Sequence, residues 1–209
     1  MSKDRPDLSA AYALRTPAGS RKLYADWATD YDQGFADAED YQLHLHTARL
    51  FAKTGATGPI LDVGAGTGLC GAALAAHGIS PIDATDISAE MLAEAARKDI
   101  YRDLIEADLT QGLPFPDNGY AGLTSSGTFT TGHVGPEVFD ELLRVARPGA
   151  QFALSINTRH FDAAGFAAKL DALSDELADI SLSECPIYGP KASGPHRSDT
   201  AYVACFRKR

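Results

Sequence analysis

The stretch Ile60-Leu61-Asp62-Val63-Gly64-Ala65-Gly66-Thr67-Gly68-Leu69 constrains this chain more than any other. An apolar run ends in an acid and opens into glycines at alternate positions, with a helix-forming segment straight after. That pattern predicts a strand, a glycine turn and a helix start. Glycine lacks a Cβ, so the turn lets backbone approach a ligand closely. The helix start aims free N–H groups and the positive end of the dipole at an anionic group. The turn therefore predicts a nucleotide-like ligand, and two frames fit it. Gly66-Thr67-Gly68-Leu69-Cys70-Gly71 matches the dinucleotide pattern, with Asp86 at the spacing of a ribose-binding acid. Asp62 and Gly64 extend the string to D-x-G-x-G-x-G.

Strand-like and helix-like segments alternate along the rest of the chain. Residues 1–20 are polar, with proline and glycine, and read as a loose N-terminal segment. Residues 21–209 read as a single domain, with cap helices in 21–54 and a core in 58–209. The cap pattern predicts helices over about Leu23–Gln33 and Tyr41–Lys53. In the second of these, Tyr41, His44, Leu45, Ala48 and Phe51 share one face. Further helices are expected near Leu69–His77, after a Ser88 N-cap, and over Pro136–Arg147, where Arg147-Pro148-Gly149 marks the stop. Phe166, Leu170, Leu173 and Leu177 predict one more helix face. Pro81 and Asp83 suit a buried second strand poorly, and Arg102 and Asp103 suit an edge strand. Alternating β and α elements imply a largely parallel sheet covered on both faces.

Composition narrows the ligand. With 209 residues the chain is long enough for one well-buried domain and short for two. It has no room for the separate catalytic domain of many dehydrogenases. A net charge of −9 disfavours a nucleic-acid partner, because phosphate binding needs a basic surface. Cys70, Cys185 and Cys205 are scattered, with no C-x-x-C or Cys/His cluster, so no metal is predicted and a reducing compartment is expected. The start, Met1-Ser2-Lys3-Asp4-Arg5-Pro6, has no apolar leader and no stretch is apolar enough to span a bilayer. The expectation is a cytoplasmic protein, monomeric or homodimeric, without a membrane partner.

The D-x-G-x-G-x-G frame resembles motif I of class I S-adenosylmethionine methyltransferases. Leu23-Tyr24-Ala25-Asp26-Trp27-Ala28-Thr29-Asp30-Tyr31-Asp32 is similar to a Y-x-x-W-A-x-x-Y-D signature of small members. Phe115-Pro116-Asp117, Gly132-His133-Val134-Gly135-Pro136 and Leu142–Gly149 extend the likeness to the type 11/12, Williams–Beuren-region methyltransferase-like group over about residues 23–157. The resemblance implies a Rossmann-like α/β fold. Its seven strands would be ordered 3-2-1-4-5-7-6, the last antiparallel, with helices on both faces. It implies S-adenosylmethionine as methyl donor and S-adenosylhomocysteine as product. Asp62, Gly64, Gly66 and Gly68 would form the cofactor turn, and Asp86 would take the ribose hydroxyls. Ile87 and Met91 would pack on adenine, with Asp108 and Leu109 beside its amino group. Tyr31 and Ser125 would face the methionine end.

Methyl transfer from a sulfonium needs an aligned nucleophile and, for a protonated acceptor, a general base. His133, in the segment after the fourth strand, is the leading candidate base. His44 and His196 are weaker candidates. The expected acceptor is an O, N or S atom of a small molecule. Two alternatives stay open at this point, a donor-binding module without turnover and a protein or RNA methyltransferase.

Overall fold

The computed structural model describes residues 16–209. The loose segment expected over residues 1–20 therefore lies mostly outside the described residues. Seven strands form one sheet: β1 (Ile60–Val63), β2 (Ile82–Asp86), β3 (Tyr101–Glu106), β4 (Tyr120–Phe129), β5 (Ala146–Asn157), β6 (Leu177–Pro186) and β7 (Thr200–Lys208). Their order is β3-β2-β1-β4-β5-β7-β6. Strands β1 to β5 pair in parallel, and β7 runs antiparallel to both β5 and β6. The order reverses between β1 and β4, so a crevice opens at the carboxyl ends of those strands.

Side chains of adjacent strand residues point to opposite faces. Ile60 therefore joins an apolar cluster with Phe51, Leu74 and Val203, while Leu61 joins another with Phe139, Phe152 and Phe166. Phe152 and Phe206 lie opposite each other in register and stack with centroids 4.5 Å apart. The sheet is thus buried on both faces, as a parallel sheet requires.

Helices surround it: α1 (Pro17–Trp27), α2 (Leu43–Ala52), α3 (Leu69–Ala76), α4 (Ala89–Ala96), α5 (Phe139–Val145), α6 (Thr158–Ala164) and α7 (Phe166–Ala172). Among the described residues no helix is long and apolar enough to cross a membrane. Several boundaries differ from the sequence reading. Helix α1 begins at Pro17, because Thr16 caps it through a bond from Gly19 N–H, so residues 17–20 are helical. The expected single helix 23–33 is a series: α1, a 3-10 turn Ala28–Asp30 and a π-helix Tyr31–Asp37. In α2, Leu45 is 50 % exposed rather than inward, and the buried face is Leu43, Thr47, Ala48 and Phe51. The segment expected as one helix over 136–147 is a 3-10 turn at Pro136–Val138 followed by α5, and Arg147-Pro148-Gly149 already belongs to β5. Helix α7 stops at Ala172, and Leu177 opens β6.

Two buried acids in the sheet have specific partners. Pro81 lies just before β2, so the strand itself carries only Asp83, which accepts bonds from Arg102 of edge strand β3 and from Tyr120 at 2.9 Å. Asp62 is fully buried and accepts bonds from Tyr101 at 2.8 Å and Thr124 at 3.2 Å. Burial pushes its carboxyl up to about 6, against the downward pull of those hydroxyls and of the Gly71 backbone. A carboxyl raised in the folded state binds more protons natively than when unfolded, between about pH 4 and about pH 6. Its contribution to stability therefore falls as pH rises through that window. Relative to wild type, Asp62→Asn is expected to gain about 2–3 kcal/mol of unfolding free energy between about pH 4 and about pH 7, measured by urea denaturation. A difference that stays constant with pH would show that Asp62 titrates like a solvated carboxylate.

Candidate active site

The turn after β1 is built on three residues in the left-handed region, Gly64 at φ +65°, Gly66 at +56° and Gly68 at +88°. Two of them show why only glycine serves. A Cβ on Gly64 would stand 2.0 Å from Thr128 Oγ1, while a Cβ on Gly66 would enter open space in the cleft. The first glycine lets β4 approach, and the second keeps a backbone wall bare for a ligand. Gly66 N–H donates to Asp86 Oδ2 at 2.8 Å, and Ser88 N–H donates to Asp86 Oδ1 at 2.9 Å. Ser88 caps α4 through Met91 N–H. Burial raises the Asp86 carboxyl above its ordinary value, opposed by the Ser88, Gly66 and Ile87 backbone groups.

These elements border a cleft of about 1080 Å³ of empty space, partly open to solvent. Tyr31, Gly64, Gly66, Asp86, Ile87, Met91, Asp108, Leu109 and His133 all line it. Three of the expected site residues stand outside its wall. Asp62 lies beneath the turn, held by Tyr101 and Thr124. Gly68 is the N-cap position of α3. Ser125 is turned into the sheet, where its Oγ donates to Val63 O at 2.7 Å, and Ser126, one position on, lines the cleft instead. The alternation of β4 carries the signal that separates these two serines. Asp108 lines the cleft and also caps a short turn, accepting from Thr110 N–H at 2.9 Å.

The cap covers the cleft with aromatic rings. Tyr24 Oη lies 3.0 Å from His133 Nε2 and its ring packs edge-on against Trp27. Tyr31 packs on Phe35 at 5.1 Å, and burial pushes its phenol well above the usual range, so it stays protonated. A charged clasp ties the cap to the turn. Asp32 accepts from Thr67 Oγ1 and from Lys98 Nζ at 2.6 Å, and Lys98 also donates to Thr67 O at 2.7 Å. His133 Nδ1 is 3.3 Å from Thr131 O, and burial holds its imidazole below the ordinary histidine value.

His44 also lines the cleft, stacked on Tyr41 at 5.4 Å, with a buried Nδ1 that has no hydrogen-bond partner. Burial lowers its imidazole to about 4. His196 instead pairs with Asp199 at 3.0 Å and does not line the cleft. Among the described residues no group of three or more His, Cys, Asp or Glu side chains is placed to hold a metal ion.

Comparison with known proteins agrees with this architecture. A family model described as a methyltransferase domain matches residues 60–149. Methyltransferase-like protein 27 of Homo sapiens is 30% identical over 190 residues, spanning 86% of this chain and 74% of that protein. Demethylmenaquinone methyltransferase of Beutenbergia cavernae is 36% identical over 98 residues, 46% of this chain and 39% of that protein. The solved S-adenosylmethionine-dependent methyltransferase of Mesorhizobium loti shares the fold, with a TM-score of 0.57 over 78% of this chain and 96% of that one, at 18% identity. By its fold and its relatives, the chain belongs to the class I S-adenosylmethionine-dependent methyltransferases.

Proposed function

We propose that this methyltransferase holds S-adenosylmethionine in the cleft beside the glycine turn and methylates an O, N or S atom of a small-molecule acceptor in the cytoplasm, acting as one catalytic domain over residues 21–209. The observation that carries this reading is the convergence of Gly66, Asp86, Tyr31 and His133 on one cleft. The donor set fits such a ligand. Asp86 is a strand-end carboxylate able to accept from vicinal hydroxyls, Gly66 leaves its side of the wall bare, and Ile87 and Met91 offer an apolar surface to a purine. Asp108, Leu109, Tyr31, Gly64 and Ser126 line the same cleft.

When bound, S-adenosylmethionine supplies an electrophilic methyl group on a sulfonium. The chain's own contribution is alignment and proton handling. The cap rings of Tyr24, Trp27 and Tyr31 exclude water from the reacting centre. His133 is the base of this reading. Its Nδ1 faces a carbonyl, which can only accept, so Nδ1 carries the proton and Nε2 presents its lone pair toward Tyr24. A small acceptor fits the acidic balance of the chain, and the relative from Beutenbergia cavernae is named for the small molecule demethylmenaquinone.

Asp86→Ala is expected to weaken S-adenosylhomocysteine binding by about 1.5–3 kcal/mol, roughly tenfold to a hundredfold by calorimetry, as a charge-assisted pair of bonds is lost. Unchanged affinity would reject the ribose assignment. For His133, burial disfavours the imidazolium, so its titration midpoint should lie below the ordinary histidine value. Proton NMR titration, with His133→Asn to assign the signal, is the check. A midpoint at or above about 6.5 would contradict a base kept neutral by burial.

A further inference from the structure

A second cavity opens from the cleft on the side of the cap. The two share Tyr24, Tyr31, Tyr41, Gly127 and His133, so a ligand in one meets a ligand in the other at those residues. Its remaining walls include Trp27, Phe35, Phe129 and Tyr188. Among the described residues no Asp, Glu, Lys or Arg lines it. Two polar side chains in its wall serve the fold: Ser155 Oγ accepts from Gly127 N–H at 3.0 Å, and Asn157 caps α6 through Arg159 and His160 N–H.

We propose that this cavity takes the methyl acceptor, and that the acceptor is a flat, uncharged aromatic hydroxy compound. The proposal rests on the cofactor reading above. The argument is one of charge and shape. A carboxylate or phosphate would meet no cation in the described wall, at the cost of desolvating an unpaired charge. Aromatic faces do attract an ammonium group. Such a group would, however, sit next to the donor's sulfonium, and it has no lone pair to give until it loses a proton. A neutral ring instead stacks or packs edge-on against the walls. Its hydroxyl would reach the Tyr24–His133 pair on the shared boundary.

The chemistry balances there. The acceptor oxygen's lone pair forms a bond to the methyl carbon as the carbon–sulfur bond breaks, its electron pair passing to sulfur and cancelling the sulfonium charge. The hydroxyl proton moves to Tyr24 Oη while the Tyr24 proton moves to His133 Nε2. The products are a neutral methyl ether, a neutral thioether and an imidazolium.

Trp27 is the chain's one tryptophan, so the single indole N–H signal in a 15N correlation spectrum reports on this cavity. The test titrates 2-naphthol, 2-naphthoate and 2-naphthylmethylammonium into protein saturated with S-adenosylhomocysteine, by calorimetry and by that signal. The expected result is that 2-naphthol binds at least about tenfold tighter than either ion and shifts the indole signal. Thr130→Tyr, which fills the cavity wall, should abolish naphthol binding while S-adenosylhomocysteine affinity is retained. Equal or tighter binding of either ion overturns the proposal, as does no naphthol binding or binding that leaves Trp27 unmoved. If S-adenosylhomocysteine itself does not bind, the cofactor reading fails instead. The same order among the three probes is then required of the free protein.

Discussion

A carboxylate that does not line the cleft organises this site. Asp62 sits in β1 beneath the glycine turn and draws Tyr101 from β3 and Thr124 from β4 toward it. To reach Asp62, the Tyr101 ring must pass close over the start of α3. A Cβ on Gly68 would stand 2.9 Å from that ring, and one on Gly71 would stand 2.1 Å from its hydroxyl. The glycines near the helix start are therefore fixed as much by Tyr101 beneath as by any ligand above. Burying an acid this deeply is costly, and the three strands it joins hold the turn in place.

The cap is bound to this platform by a different kind of force. Asp32, Lys98 and Thr67 form a partly exposed polar clasp, while Trp27 packs with Met91 and Tyr24 in a small apolar cluster of its own. Arg21 adds a bond to Ile87 O at 3.1 Å. Ile87 and Met91 thus have two neighbours, the cleft on one side and the cap on the other. Contacts of this modest size suit a cover that must separate from its base for ligands to pass.

Much of this was legible in the sequence, and the misses have physical causes. The strand-end position of Asp86 and the Ser88 cap follow from apolar periodicity and cap chemistry, which are local, while the strand order comes from the family resemblance and matches the sheet. Asp62 reads as a ligand-binding acid because motif position says nothing about whether a side chain points up or down, and a burial partner such as Tyr101 is remote in sequence. Ser125 and Ser126 are neighbours of one type, and only the phase of β4 distinguishes them. That phase is blurred where a strand is buried on both faces. The π-helical cap and the end of α5 are set by tertiary packing, which overrides propensity. The second cavity is only partly marked by motif: Tyr24, Trp27 and Tyr31 come from the N-terminal signature, while β4, β5 and the segment after β6 supply walls that no motif announces.

The Tyr24–His133 contact joins residues 109 apart in the chain. Loop closure of that length is expensive until the sheet between them exists. Helix α1 is made before every strand of the sheet, yet its docking surface includes Met91 of α4 and His133 beyond β4. The cap must therefore wait, amphipathic and unpartnered, while the strands that will receive it are synthesised. The cap side of the active site can dock only once β1 to β4 and the segment carrying His133 exist, so a chain that stalls before then would have strands and no catalyst.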